Sequence, residues 1–402
     1  KKYITNNNIN KDLFNYMVFH IGLIELVSYF KCTCSPNVII NAGYIDENQI
    51  NWFKKLYYNG LGEMLYTNGI TISEEDLMNI TCTANKVEIH DYTYEALGNL
   101  IPVGGGKDSN VTLEIMKEEF DINTCFIINP KEINMECSKI AGYDDNKIFS
   151  IKILLDKKII ELNKEGFLNG HTPFSSLVAF VSYLCAYISN KKYIILSNES
   201  SANEPTVLGT NVNHQYSKSY EFENDFNNYT NKYFGCDIKY FSFLRPLSEF
   251  QIGMLFSNYK KYHKVFKSCN VGSKEIPWKW CSNCAKCLFV YIILSPFLYK
   301  EDLINIFGED LYENKELLNI LLELAGYSET KPFECVGTYD EVRYAISLTI
   351  NKLGDNLPYL LDYYKKNYSL SLDHKYEKDF NEENNLENKF IDMVKKEVDK
   401  YV

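Results

Sequence analysis

The sequence predicts an α/β protein: a parallel five-stranded sheet flanked by helical N- and C-terminal regions. Three observations carry this. Between residues 98 and 258, short apolar runs alternate with stretches of helical period. The segments before and after that region show helical periodicity with no strong strand series. Three consecutive glycines, Gly104 to Gly106, stand where the first apolar run hands over to a helical pattern. Alternation of this kind implies crossover units, and therefore parallel strands covered by helices on both faces.

Residues 1–97 read as a mostly helical N-terminal region, from "DLFNYMVFHIGLIELVSYF" and "NQINWFKKLYYNGLGEMLYTNGI". The strands expected next are 100–103, 125–129, 148–155, 193–197 and 238–244. Helices are expected over 109–120, 173–190, 217–233 and 247–258. Pro102 cannot donate to a ladder, so its strand must end beside it. The α/β domain is taken to span 98–287, and a helical C-terminal region that contributes to the active site spans 288–402. The Asn-rich "DFNEENNLENKFIDMVKKEVDKYV" closes the chain as a solvated amphipathic helix.

The 402 residues allow a sizeable core, with 46% hydrophobic and 24% charged residues, ordinary for a globular protein. A net charge of -11 argues against a broad nucleic-acid surface, because phosphate-tracking surfaces are basic. The opening residues "KKYITNNNIN" lack the apolar core of a secretory signal. The runs "SSLVAFVSYLCAYIS" and "CLFVYIILSPFLY" fall short of the roughly 20 residues a membrane helix needs. A cytoplasmic protein without membrane partners is expected, its twelve cysteines reduced, metal-bound or catalytic.

Without Cβ atoms, Gly104, Gly105 and Gly106 let backbone N–H groups crowd around one point and form an anion-binding nest. The helix that follows adds its own free donors, and Lys107 a full charge. Asp108 or Ser109 is expected to cap that helix, and Ser109 also to donate to a phosphate oxygen. A Walker A loop is excluded, because Asp108 stands where Ser or Thr is needed and Ile101 where Gly is needed. The dinucleotide fingerprint fails at Ser109, which occupies its third glycine position. A packing turn between strand and helix is the plain alternative.

Cys269, Cys281, Cys284 and Cys287 form a Cys-x11-Cys-x2-Cys-x2-Cys array. Two-residue gaps let neighbouring thiolates reach one tetrahedral ion, and four thiolates close a structural zinc shell. An iron–sulfur cluster or unligated thiols are the alternatives.

The loop "GGGKDS" resembles the pyrophosphate loop of the N-type ATP pyrophosphatases, the PP-loop superfamily. That resemblance implies a PP-loop fold and cleavage of ATP to AMP and pyrophosphate, with a carboxylate or carbonyl activated by adenylation. A similar four-cysteine array occurs in deazaguanine synthases, which share that fold. Further strings include "YYNGLGEMLYTNGI", "FLNGHTPFSSLVAF", "VNHQYSKSYEFE", "FLRPLSEFQIGMLF" and "KPFECVGTYDEVR". Together they resemble, in order, the bacterial muramoyl-peptide L-glutamate epimerase family, over about residues 20–350. The resemblance implies ATP- and Mg²⁺-dependent inversion of a peptide's terminal L-glutamate, a nucleotide-peptide substrate, and action alongside a muramoyl-peptide L-glutamate ligase.

On that footing Gly104, Gly105, Gly106, Lys107, Asp108 and Ser109 are assigned to the ATP phosphates, with Asp108 also a magnesium candidate. Asn198, Glu199, Ser201 and Asn203 follow a strand and so reach the same ligand-facing rim; Glu199 or Glu204 is a magnesium candidate. A capped polar loop is the plainer reading of that stretch. His171 and His214 are acid/base candidates, because imidazole titrates near neutrality, and Lys218 can neutralise a phosphate. Cys335 is a thiol acid/base candidate, or else a buried small hydrophobe. Arg245 and Arg343 are candidate clamps for a carboxylate or diphosphate, or partners of surface acids. His20, His90, His263 and His374 have no persuasive context. Two competing functions remain, an amide-forming ligase and a tRNA-modifying thiolase, the second disfavoured by the acidic charge.

Overall fold

The structure, a computed structural model, describes residues 3–86, 94–207, 209–210, 212–274 and 278–402. His90 lies outside the described residues. In chain order the first elements are α1 (Lys11–Thr33), β1 (Asn37–Ile40), α2 (Glu47–Gly60), α3 (Gly62–Thr67) and β2 (Asn79–Cys82). There follow β3 (Asn99–Pro102), α4 (Lys107–Ile115), β4 (Asn123–Ile128), α5 (Glu132–Ile140), β5 (Ile148–Ile151), α6 (Lys157–Lys164) and α7 (Phe174–Ile188). Next come β6 (Tyr193–Glu199), α8 (Tyr220–Tyr233), β7 (Lys239–Leu244), α9 (Glu249–Asn258) and α10 (Ala285–Leu294). Helices α11 (Lys300–Phe307), α12 (Leu318–Leu324), α13 (Tyr339–Leu353), α14 (Tyr359–Asn367) and α15 (Asn388–Val398) complete the described chain.

The predicted α/β class and its five strands are present. Strands β3 to β7 form a five-stranded sheet in the order β5-β4-β3-β6-β7, with parallel pairing of β3 to β6 and of β4 to β5. The chain winds outward from β3 through β4 to β5, then returns to the other side of β3 for β6 and β7. That reversal is a topological switch point, and the crevice beyond the carboxyl ends of β3 and β6 is where such sheets take ligands. Pro102 is the last residue of β3, where its missing N–H removes nothing from the ladder. The apolar run expected to continue to 155 leaves the sheet after Ile151, and Leu154 and Leu155 are exposed.

The N-terminal region, with α1, α2 and α3, also holds two short strands. There β1 and β2 form a two-stranded parallel sheet, with Asn37 opposite Asn79 and Ile40 opposite Cys82. Each strand has four residues, too few for an alternation to register in the sequence.

By compactness the chain divides into two units. The first comprises Lys1–Leu100, Lys152–Ile194 and Thr210–Tyr240, the second Ile101–Ile151, Ile195–Gly209 and Phe241–Val402. In the first unit α1 packs on α7. Among the described residues α1 is the one helix with the length and hydropathy of a membrane span, a length the apolar runs singled out in the sequence do not reach. Its face buries Leu13, Met17, Leu23, Ile24, Val27 and Phe30 in the fold. His20 on that face is fully buried among the rings of Phe53, Phe180 and Tyr229. Its Nδ1 lies 2.7 Å from the Tyr16 carbonyl oxygen, which can only accept, so Nδ1 carries the proton. Nε2 then accepts from the Tyr229 hydroxyl at 2.6 Å. In the second unit α4 packs on α9, and α10, apolar around its whole circumference, is buried against α9 and α13.

Burial lowers the pKa of His20 from 6.5 to about 4, against a smaller upward pull from the Tyr16 carbonyl. The unfolded chain therefore takes a proton at a higher pH than the folded one. Stability is complete above pH 6.5 and falls as pH drops toward about 4, by up to about 3 kcal/mol from this group. Urea unfolding across that window should show the decline in the native chain and a shallower one in His20→Asn.

Candidate active site

The glycine turn begins one residue after β3. Gly105 has φ +88°, and a Cβ there would sit 2.9 Å from Ile133 Cγ2 and 3.3 Å from the Asn134 backbone. Neither the dihedral nor the space admits a side chain, so the turn packs directly on the start of α5. Helix α4 then starts with Gly106 as its N-cap and no side-chain cap, which corrects the expectation that Asp108 or Ser109 would serve. Ser109 instead closes the turn on itself: its Oγ accepts from Gly105 N at 3.1 Å and donates to Gly106 O at 3.1 Å.

Lys107 is almost fully buried, and its ammonium is bonded by Asp108 and Glu249 in short contacts. Burial opposes its charge, but the two carboxylates outweigh that and hold its pKa above the ordinary lysine value. Glu249, in the first turn of α9, is also buried, and its pKa is raised by desolvation. Lys107 pulls it down, while Asp108 and Glu199 push it further up. Ligand oxygens of Asp108, Glu199 and Glu249 lie within 4.8 Å of one another. Lys107 meets two of these carboxylates, and Lys286 also draws the Glu249 pKa down.

Glu199 ends β6, its Oε1 accepting from Ser201 Oγ at 3.1 Å. Asn198 donates to Ser242 Oγ on β7 at 3.0 Å, and Asn203 lies in the 3₁₀ turn after β6. Partly exposed Glu204 forms an ion pair with buried Lys331. Arg245 is fully buried, donating to the Glu199 carbonyl at 3.0 Å and to Ser242 Oγ at 3.1 Å. It braces the ends of β6 and β7 and presents no open clamp. Arg343 donates to the Ala325 carbonyl at 2.6 Å, pairs with Asp340 on its own helix at 3.3 Å, and stacks on Tyr327. The Cys335 carbonyl accepts a short hydrogen bond from Lys286, at the start of α10.

The four cysteines of the array converge, all sulfurs within 4.8 Å of one another. The pairs Cys269–Cys284, Cys281–Cys287 and Cys284–Cys287 are 3.8, 3.7 and 3.4 Å apart. A tetrahedral ion with bonds of about 2.3 Å needs sulfurs about 3.8 Å apart, so the set fits one ion. Gly272 N donates to Cys269 Sγ at 3.1 Å, and a Cβ on Gly272 would fall 1.8 Å from the Lys279 carbonyl oxygen and 3.3 Å from that sulfur.

In the first unit, His171 and His214 meet, with ring centroids 4.2 Å apart. Glu63, on α3, joins them: its carboxylate holds His214 Nδ1 in a short contact and lies 4.0 Å from His171 Nδ1. Burial lowers the His171 pKa to about 4, His214 adds to the fall, and Glu63 opposes it. Lys218 and Lys31 push the same group further down. Lys218 Nζ is 3.5 Å from Gln215 Oε1.

The structure thus groups His171, His214 and Lys218 in the first unit, and the glycine turn, Asn198 to Asn203, both arginines, Cys335 and the cysteine array in the second. Two residues of these clusters, Glu249 and Glu63, escape the sequence reading. Glu249 sits in the Ser248–Gln251 capping box, where an acid reads as a partner of the helix dipole. Glu63 lies inside "NGLGEMLY", and only its place in that string singles it out.

Sheet order, a bare glycine turn at the switch point and converging carboxylates define a doubly wound α/β enzyme. The MurL N-terminal domain matches residues 3–243 and the MurL C-terminal domain residues 265–364. The chain belongs to the MurL family, whose curated members are epimerases and hence isomerases. A relative from Xanthomonas oryzae pv. oryzae, named UDP-N-acetyl-alpha-D-muramoyl-L-alanyl-L-glutamate epimerase, is 32% identical over 83% of this chain and 74% of its own. Relatives of the same name from a Micromonospora species and Salinispora tropica are 31% and 30% identical, each over 82% of this chain and 73% and 72% of their own.

Lys107→Met would leave buried carboxylates without their cation and should cost about 3–5 kcal/mol in urea unfolding. Adding Glu249→Gln should recover part of that loss.

Proposed function

We propose that this chain is a cytoplasmic, PP-loop-type epimerase that inverts the terminal L-glutamate of UDP-N-acetylmuramoyl-L-alanyl-L-glutamate, with ATP as co-substrate. The observation that carries the reading is the glycine turn at the switch point in a chain whose relatives bear that enzyme's name.

The α-proton of a free carboxylate is hard to remove, because the carbanion would form beside a negative charge. Attack of a carboxylate oxygen on the α-phosphorus of ATP expels pyrophosphate and leaves the carboxyl group joined to AMP. The carbonyl then accepts the electron pair left when a base takes the α-proton. An acid returns a proton to the opposite face, and water cleaves the acyl–AMP bond. Amides of Gly104, Gly106 and the start of α4 receive the departing pyrophosphate, while Ser109 holds the Gly105 amide in the turn. His171, His214, Lys218 and Cys335 are the groups available for proton transfer and charge neutralisation.

Asp108, Glu199 and Glu249 would hold Mg²⁺. Three carboxylates so close together offer the hard oxygen donors that a divalent cation takes. Cys269, Cys281, Cys284 and Cys287 would hold a structural Zn²⁺ with no open coordination position. A muramoyl-peptide L-glutamate ligase is the partner whose product this chemistry consumes.

In deuterated water with ATP, Mg²⁺ and the peptide, pyrophosphate release should accompany deuterium at the terminal α-carbon and appearance of D-glutamate. Pyrophosphate release without α-exchange would discard the epimerase, and amide formation with added ammonia would favour a ligase. Cys284→Ser should lower bound zinc, read by elemental analysis, and lower thermal stability.

A further inference from the structure

Within the second unit lies a cavity of ≈ 450 Å³ with no part in the chemistry above. Its volume falls in the range of small-molecule sites, about 300–1,000 Å³. Ser200 and Glu204, after β6, line one side, and Pro246 and Ser248, between β7 and α9, a second. A further wall comes from the chain between α14 and α15, through Tyr376, Asp379 and Phe380. That wall is fastened in place. Gln251 Nε2 donates to the carbonyls of Glu377 and Asp379 at 3.3 and 2.8 Å. Tyr344 donates to the Glu377 carboxylate at 3.0 Å, and Asn381 N to the Pro246 carbonyl at 2.8 Å.

Ser200 succeeds Glu199 and Ser248 precedes Glu249, so the cavity adjoins two of the three converging carboxylates. The sheet order β3-β6-β7 sets it to the β7 side of the glycine turn. Among the described residues no Lys, Arg or His lines it, so a phosphate or carboxylate meets no cation there. The acids on its walls already have partners. Glu204 pairs with Lys331, Asp340 with Arg343 at 3.3 Å, and Asp379 with His374. Glu341 accepts from Thr338 N and Oγ1 at 2.8 and 2.7 Å. What such carboxylates still offer is lone pairs, which suit O–H donors. Tyr376 adds a hydroxyl with no hydrogen-bond partner among the described residues. Burial raises its pKa, and Glu341 and Asp340 add to the rise, so it stays a donor. Pro246 and Phe380 supply apolar surface beside these polar groups. A neutral ring bearing hydroxyls on its rim and C–H bonds on its face matches all of these features.

We propose that this cavity holds the amino-sugar ring of the acceptor through its hydroxyl groups, with Tyr376 and Asp379 as hydrogen-bonding residues. The inference rests on the epimerase reading above, whose acceptor carries a neutral sugar ring between a diphosphate and a peptide carboxylate. Ring hydroxyls donate to Asp379 and accept from Tyr376, and the C–H face lies against Pro246 and Phe380. No bond is made or broken there.

Calorimetry on the full chain, Tyr376→Phe and Asp379→Ala tests this with three ligands, each supplied alone. They are UDP-N-acetylmuramoyl-L-alanyl-L-glutamate, UDP and ATP. Tyr376→Phe should weaken the nucleotide-peptide by about fivefold, and Asp379→Ala, which removes a charged acceptor, by about 20-fold. Affinities for UDP and ATP should stay within about twofold, since neither carries the amino sugar. Were Asp379→Ala to fold poorly, Tyr376→Phe decides alone, because it keeps the ring packed on Phe250 and Tyr344. Equal loss with UDP or with ATP would put a ribose in the cavity instead and overturn the proposal. Unchanged affinity for the nucleotide-peptide, or none in the unaltered chain, would overturn it as well. Because binding needs no turnover, failure of the unaltered chain to release pyrophosphate would overturn the epimerase reading and leave this comparison standing.

Discussion

A buried ammonium has to be matched, and Lys107 is matched by Asp108 beside it and Glu249 across on α9. That requirement ties the glycine turn to α9 and brings three carboxylates to the carboxyl edge of the sheet. Lys107 therefore does less to greet a ligand directly than its place after the glycines suggests. It acts as the counter-charge that lets acids gather beside the glycine turn. In the proposed function the backbone amides are the anion-facing donors, and the carboxylate oxygens are the donors for a divalent cation.

The first unit solves a different problem with the same economy. His20 and His171 are both imidazoles whose charge is disfavoured by burial, yet their surroundings differ. His20 has both nitrogens bonded within an aromatic core, which gives it structural work only. His171 abuts a second imidazole and a carboxylate, partly buried groups beside a loop whose Gly170 packs closely on Met64. Burial alone does not distinguish the two histidines; their neighbours do.

Much of the sheet was legible, because each strand of β3 to β7 is a short apolar run bounded by a helical pattern. The glycine turn and the cysteine array were legible for the same reason, since both depend on close spacing along the chain. What escaped depends on distance in the chain. Strands β1 and β2 pair across some forty intervening positions and carry four residues each. Glu249 lies 142 residues from Lys107, and Glu63 lies 151 from His214. Arg245 stood out by scarcity, but no sequence pattern announces that a guanidinium will be wholly buried against a carbonyl and a serine.

Central to the proposed chemistry is attack of a substrate carboxylate, and not water, on the innermost phosphorus of ATP. Peptide labelled with ¹⁸O in the terminal α-carboxylate tests it most directly, with the released AMP read by mass spectrometry. Transfer of one labelled oxygen to AMP is the predicted result, because the bridging oxygen leaves with phosphorus when water attacks the acyl carbon. Unlabelled AMP, or ADP and phosphate in its place, would contradict it.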